Sequence, residues 1–112
     1  MAARQTAVPR PAKKAEYELR FVTRQAELGW RDLVATTRNA MADAWDYLTR
    51  NPLRDEPKNH ELRGALATVT HAGATHRQRQ YELPGGARIW YYVDGRVVML
   101  VNVHTAHPNA TK

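Results

Sequence analysis

The sequence predicts an α+β domain: one strand, two helices, then three antiparallel strands, with the helical hairpin packed on one face of the sheet. Three observations predict it. Arg88–Val93 and Arg96–His104 are runs rich in β-branched and aromatic residues, joined at Asp94-Gly95, a strong hairpin signal. Residues 23–51 carry apolar side chains at helical spacing in two successive segments. Tyr17–Val22 ahead of them alternates as a strand does, and so does Arg77–Leu83 after them.

The elements follow in order. Residues 1–14 are basic and carry Pro9 and Pro11, too polar to bury a core, and are expected to form a flexible tail ahead of a domain spanning 15–112. Tyr17, Leu19 and Phe21 share one side of the first strand. Thr23 is placed to cap a helix carrying Ala26, Trp30 and Leu33. Gly29 within it costs about 1 kcal/mol relative to alanine, which predicts a short or bent helix. In the second helix Asn39 is the expected cap, and Met41, Ala44, Trp45 and Leu48 form the apolar stripe. Arg50 complements the helix dipole in the last turn, and Asn51-Pro52 stops the helix. Residues 52–61 read as a charged loop, with His60 in it and His76 in a later one. Gly73-Ala-Thr reads as a turn, and Pro84-Gly85-Gly86 ends the second strand.

Bulk composition narrows the function. The chain has 112 residues and no cysteine, which excludes disulfides and thiolate metal sites and fits a reducing cytoplasm. No apolar run approaches the roughly 20 residues that span a bilayer, so no membrane partner is expected. The net charge of +6 is uneven: residues 1–14 and 62–112 contribute +4 each, and residues 15–61 contribute −2. The surplus in the sheet half suits a polyanion such as nucleic acid, although a few extra arginines also serve solubility alone.

Alternation sorts the sheet residues into two faces. Tyr81, Leu83, Ile89, Tyr91, Val93, Met99, Val101 and Val103 are expected to face the helices. The opposite face then shows Gln78, Gln80, Glu82, Arg88, Trp90, Tyr92, Asn102 and His104. Such a surface can stack bases on its aromatics, clamp phosphate with arginine and move protons through histidine or glutamate. An amphipathic sheet with a solvated side, its aromatics covering their neighbours, accounts for the same pattern.

Leu62-Arg63-Gly64, the segment Gly-Ala-Arg-Ile-Trp-Tyr-Tyr-Val (86–93) and the order of elements over residues 17–112 resemble the RelE/ParE superfamily of type II toxins. The resemblance implies a RelE-like fold, a cognate antitoxin, and cleavage of mRNA on the ribosome by attack of a ribose 2′-OH on the adjacent phosphate, without metal or other cofactor. It makes Arg88 the phosphate clamp. It makes His107 the general acid or charge stabiliser, with His104 as the neighbouring alternative. Glu82 and His71 remain as candidates for the base. Arg77, Arg79, Gln80, Trp90 and Tyr92 become the RNA-binding set, although alternation turns Arg79 inward. His104-x-x-His107 has metal-like spacing but no cysteine or carboxylate beside it, so no metal is expected. The second strand lacks the paired lysines of one branch of the superfamily, and Lys112 stands where some relatives end in tyrosine. A gyrase poison of the ParE kind and a non-toxic nucleic-acid-binding relative are the alternatives.

Overall fold

The structure is a computed structural model that describes residues 6–11 and 13–106. Parts of the expected tail (residues 1–5 and 12) and the C-terminal segment 107–112, with His107, lie outside the described residues.

Among the described residues, seven strands and two α-helices follow in the order β1 (Glu18–Phe21), α1 (Arg24–Thr36), α2 (Arg38–Arg50), β2 (Asn59–Glu61), β3 (Thr68–His71), β4 (Ala74–Arg77), β5 (Arg79–Glu82), β6 (Arg88–Asp94) and β7 (Val97–His104). The expected plan is present: β1, the helical hairpin, then β5, β6 and β7 as the three final strands. The five-stranded sheet has the order β1-β7-β6-β5-β2, with β1 parallel to β7 and the other neighbours antiparallel. β3 and β4 form a separate two-stranded hairpin. Neither β2 nor this hairpin was expected. Asn-His-Glu carries no strand propensity of its own and is extended because it pairs with Arg79–Tyr81.

Both helices lie on one sheet face. Ala26 and Leu33 of α1 and Met41, Ala44 and Leu48 of α2 pack on Tyr81, Leu83, Ile89, Tyr91, Val98, Leu100 and Val103. Thr23 caps α1, accepting from the Ala26 amide at 3.0 Å. Thr37, rather than Asn39, precedes α2, and it supplies no side-chain cap. Arg50 closes α2 as expected.

Gly29 does not shorten α1, which runs through it for 13 residues. A Cβ at this position would lie 2.2 Å from the Val103 carbonyl oxygen, so glycine lets α1 settle directly on the backbone of β7. The main hairpin turns one residue later than expected: Gly95 (φ 60°) and Arg96 form its two-residue loop, with Asp94 paired to Val97.

A bulge at Val101 alters the expected faces of β7. Trp90 pairs with Asn102, but Tyr91 already pairs with Leu100, leaving Val101 as the extra residue. From Asn102 onward the expected faces hold. Before the bulge they reverse, so Val98 and Leu100 are buried against the helices in place of Met99 and Val101.

β1 ends where β7 still has residues to pair, and side chains continue the ladder. Thr23 Oγ1 donates to the Val101 carbonyl at 2.7 Å. Gln25 Nε2 donates to the Val103 carbonyl at 2.7 Å, and Gln25 Oε1 accepts from the Val103 amide at 3.0 Å.

The β3–β4 hairpin turns through Ala72 (φ 52°) and Gly73 (φ 81°), both left-handed. Alanine pays about 1 kcal/mol there, whereas asparagine before glycine suits this turn. Ala72→Asn is expected to raise stability by roughly 0.5–1 kcal/mol, seen as a higher urea midpoint at unchanged m-value; an unchanged midpoint would show that the hairpin is uncoupled from global unfolding.

Candidate functional site

On the face away from the helices, the ladders set Glu82, Arg88 and His104 side by side on β5, β6 and β7. Directly paired residues in an antiparallel sheet project to the same side. The adjacent row runs His60, Gln80, Trp90 and Asn102 across β2, β5, β6 and β7.

Arg88 is held closely, its side chain only 12% exposed. Its Nε lies 3.7 Å from Glu82 Oε1, and Nη1 donates to the Ala87 carbonyl at 3.1 Å. Nε itself is buried without a hydrogen-bond partner among the described residues. His104 Nε2 is in the same condition. The His104 ring meets Trp90 edge-on, with centroids 4.3 Å apart at 70°. Burial holds its pKa below the usual histidine value. Two unpartnered polar groups facing one another across a ladder are an expensive arrangement for a sheet surface, and such exceptions cluster at working sites.

The depressed His104 pKa has a consequence for stability. Above the unfolded value of 6.5 both states are neutral, and this residue adds no pH dependence. As pH falls below 6.5 the unfolded chain takes up a proton that the folded chain resists, so stability falls. The melting temperature is expected to drop between pH 7 and 5 more steeply in the wild type than in His104→Gln. An imidazole resonance titrating at or above 6.5 would contradict it.

Glu82 Oε1 is the hub of the row. It accepts from Gln80 Nε2 at 3.3 Å, and it lies 3.9 Å from His60 Nε2 as well as 3.7 Å from Arg88 Nε. A carboxylate surrounded by donors is better suited to orienting them than to taking a proton. His60, expected in a loop, stands in β2 beside it.

The remaining RNA-binding residues are placed differently from expectation. Trp90 and Tyr92 lie on the expected face but are 7% and 1% exposed, so neither ring offers a platform for a base. The β3–β4 hairpin covers Tyr92. His76, also in a strand rather than a loop, stacks on its ring at 4.1 Å, and His71 Nδ1 lies 2.8 Å from its hydroxyl. That contact occupies His71, which stands apart from the Glu82–Arg88–His104 row. Gln80 is buried and accepts from Trp90 Nε1 at 2.9 Å.

Arg79 faces the helix side, as alternation requires. It donates to Asp55 at 2.7 Å and to the Arg54 carbonyl at 3.0 Å, beside the Tyr91 hydroxyl, whose pKa burial pushes up to about 12. It is a structural cation tying the 52–58 loop to the sheet, and it is not on the candidate face. Arg77 is exposed, paired with Glu61 at 2.8 Å. With Arg63, Asp55 and His60 it lines a cleft of about 520 Å³. His60 is the site residue that sequence reading missed; the only signal for it was the pairing of β2 with β5.

No helix among the described residues is long and apolar enough to cross a membrane. No protein-family model matches the sequence, and no curated protein matches it significantly. Two solved structures are similar. One is the YoeB dimer from Staphylococcus aureus, at 14% identity and a TM-score of 0.57 over 79% of this chain and 94% of that one. The other is a copper-bound mutant toxin from Helicobacter pylori, at 13% identity and a TM-score of 0.56 over 79% of this chain and 92% of that one. This chain has the RelE-like fold that these structures share.

Proposed function

We propose that this RelE-like chain is the toxin of a type II toxin–antitoxin system and that it cuts messenger RNA engaged on the ribosome, in the cytoplasm. One observation carries the reading: Glu82, Arg88 and His104 stand in a single cross-strand row, with Arg88 Nε and His104 Nε2 left without partners among the described residues. The toxin unit is residues 15–112, with the basic segment 1–14 ahead of it.

Cleavage by a neighbouring 2′-OH makes heavy demands on charge and proton transfer. The attacking oxygen must lose a proton, the phosphorane gains negative charge, and the departing 5′-oxygen must gain a proton. The Arg88 guanidinium supplies a fixed, partly desolvated cation for the phosphorane, where such groups act most strongly. His104 Nε2, kept neutral by burial, takes the proton of the 2′-OH. Glu82 orients Arg88. Nε2 is covered in the free chain, so the RNA must part that cover before reaction, which favours a substrate delivered by the ribosome over free RNA.

A positively charged domain suits an antitoxin whose contacting segment is acidic. The test is primer extension on a translated message incubated with ribosomes and the purified protein. Discrete cuts within codons are expected. An intact message would refute the nuclease reading, and accumulation of gyrase–DNA cleavage complexes would replace it with a gyrase poison.

A further inference from the structure

The proposed reaction needs two proton transfers, and the row assigns only one of them. The geometry points to His60 as the second catalytic residue, the general acid that protonates the departing 5′-oxygen, with Glu82 as its positioning residue. This inference rests on the nuclease reading and names a residue to which the RelE/ParE resemblance gave no role.

Four observations support it. The β2–β5 ladder pairs His60 with Gln80, which puts the imidazole on the same face as Arg88 and His104. His60 Nδ1 lies 3.1 Å from the Glu61 carbonyl oxygen, which can only accept, so Nδ1 carries a proton and Nε2 is the nitrogen free for exchange. Nε2 lies 3.9 Å from Glu82 Oε1, so a proton arriving there faces a carboxylate. The ring is half-exposed and opens on a cleft shared with Arg63, a cation suited to a phosphate backbone, and with the Arg77–Glu61 ion pair.

The strand order also separates the two imidazoles. β2 and β7 are separated by β5 and β6, three strand spacings of about 4.8 Å. His60 and His104 therefore stand on opposite sides of Arg88, one for the entering oxygen and one for the leaving oxygen. In the balanced step the 2′-OH gives its proton to His104 Nε2 and its oxygen forms the new bond to phosphorus. The bond from phosphorus to the 5′-oxygen breaks, and that oxygen takes the proton from His60 Nε2. The products are a 2′,3′-cyclic phosphate and a 5′-hydroxyl.

The charged groups around the His60 ring are Glu82 on β5, Glu61 on its own strand, and Asp55, Arg63 and Arg77 around the cleft. His104 faces Arg88 across the ladder.

The experiment measures single-turnover cleavage of a ribosome-bound message from pH 5 to 9, using the full chain and its His60→Gln variant. The variant is expected to cut about 10²-fold more slowly, with ribosome binding unchanged. A message bearing sulfur in place of the 5′-bridging oxygen has a leaving group that needs no acid. On it the variant is expected to regain the wild-type rate, a rescue that a merely structural histidine would not give. If the wild type cuts and His60→Gln cuts within a few-fold of it, or if the sulfur substrate restores nothing, the assignment of His60 is overturned and the nuclease reading stands. If the wild type leaves both messages intact, both fall together.

Discussion

Arg88→Ala is expected to lower cleavage of ribosome-bound message by about 10³-fold while leaving the domain folded. The guanidinium is the only cation in the Glu82–Arg88–His104 row. Its Nε is committed to no hydrogen bond among the described residues, and it makes one side-chain contact to its own backbone neighbourhood, Nη1 to the Ala87 carbonyl. Removing it leaves Glu82 partly exposed and still accepting from Gln80, so loss of the 3.7 Å ion pair costs little stability. The loss should therefore appear in the chemical step. Arg88→Lys keeps the charge but loses the planar donor set, so it should recover only part of the rate. Equal loss of melting temperature and activity in Arg88→Ala would show that the residue is a structural prop.

The second large effect is on folding. Gly29→Ala should destabilise the protein by about 3 kcal/mol or more, despite the better helix propensity of alanine. The added Cβ would meet the Val103 carbonyl oxygen at 2.2 Å and the Val103 Cβ at 2.9 Å. The obstacle is backbone, so no rotamer change relieves it, and α1 must lift from β7. In a domain of this size such a loss lowers the melting temperature by more than about 10 °C. Because Val103 precedes His104, activity at permissive temperature should fall as well. Equilibrium denaturation measures the first effect, and a midpoint equal to or above wild type would refute the close approach.

Much of the fold was legible because its signals were local. The β6–β7 hairpin, the Thr23 cap and the alternation that turns Arg79 inward all depend on neighbours in sequence. What was hidden depends on distant pairing. Nothing in Val-Val-Met-Leu-Val-Asn-Val announces a bulge at Val101, yet that one extra residue reverses the faces of Met99 and Leu100. Tyr92 looked like an exposed aromatic because the hairpin that covers it lies between Thr68 and Arg77, a stretch rich in threonine and histidine with little apolar content; Trp90 is closed off by Gln80 and His104 on the flanking strands. In the candidate site, the Glu82–Arg88–His104 row follows from two hairpin registers and could be read in advance. The approach of His60 required β2, whose three residues become a strand only in the presence of β5.

The closure of the β7 margin by Thr23 and Gln25 bears on assembly. Beyond Leu100, the carbonyls of Val101 and Val103 and the amide of Val103 are already taken by a hydroxyl and a carboxamide from the start of α1. An incoming polypeptide finds those three groups occupied, which disfavours strand addition to the sheet at this end. Whatever grips this end of the molecule must do so through side chains.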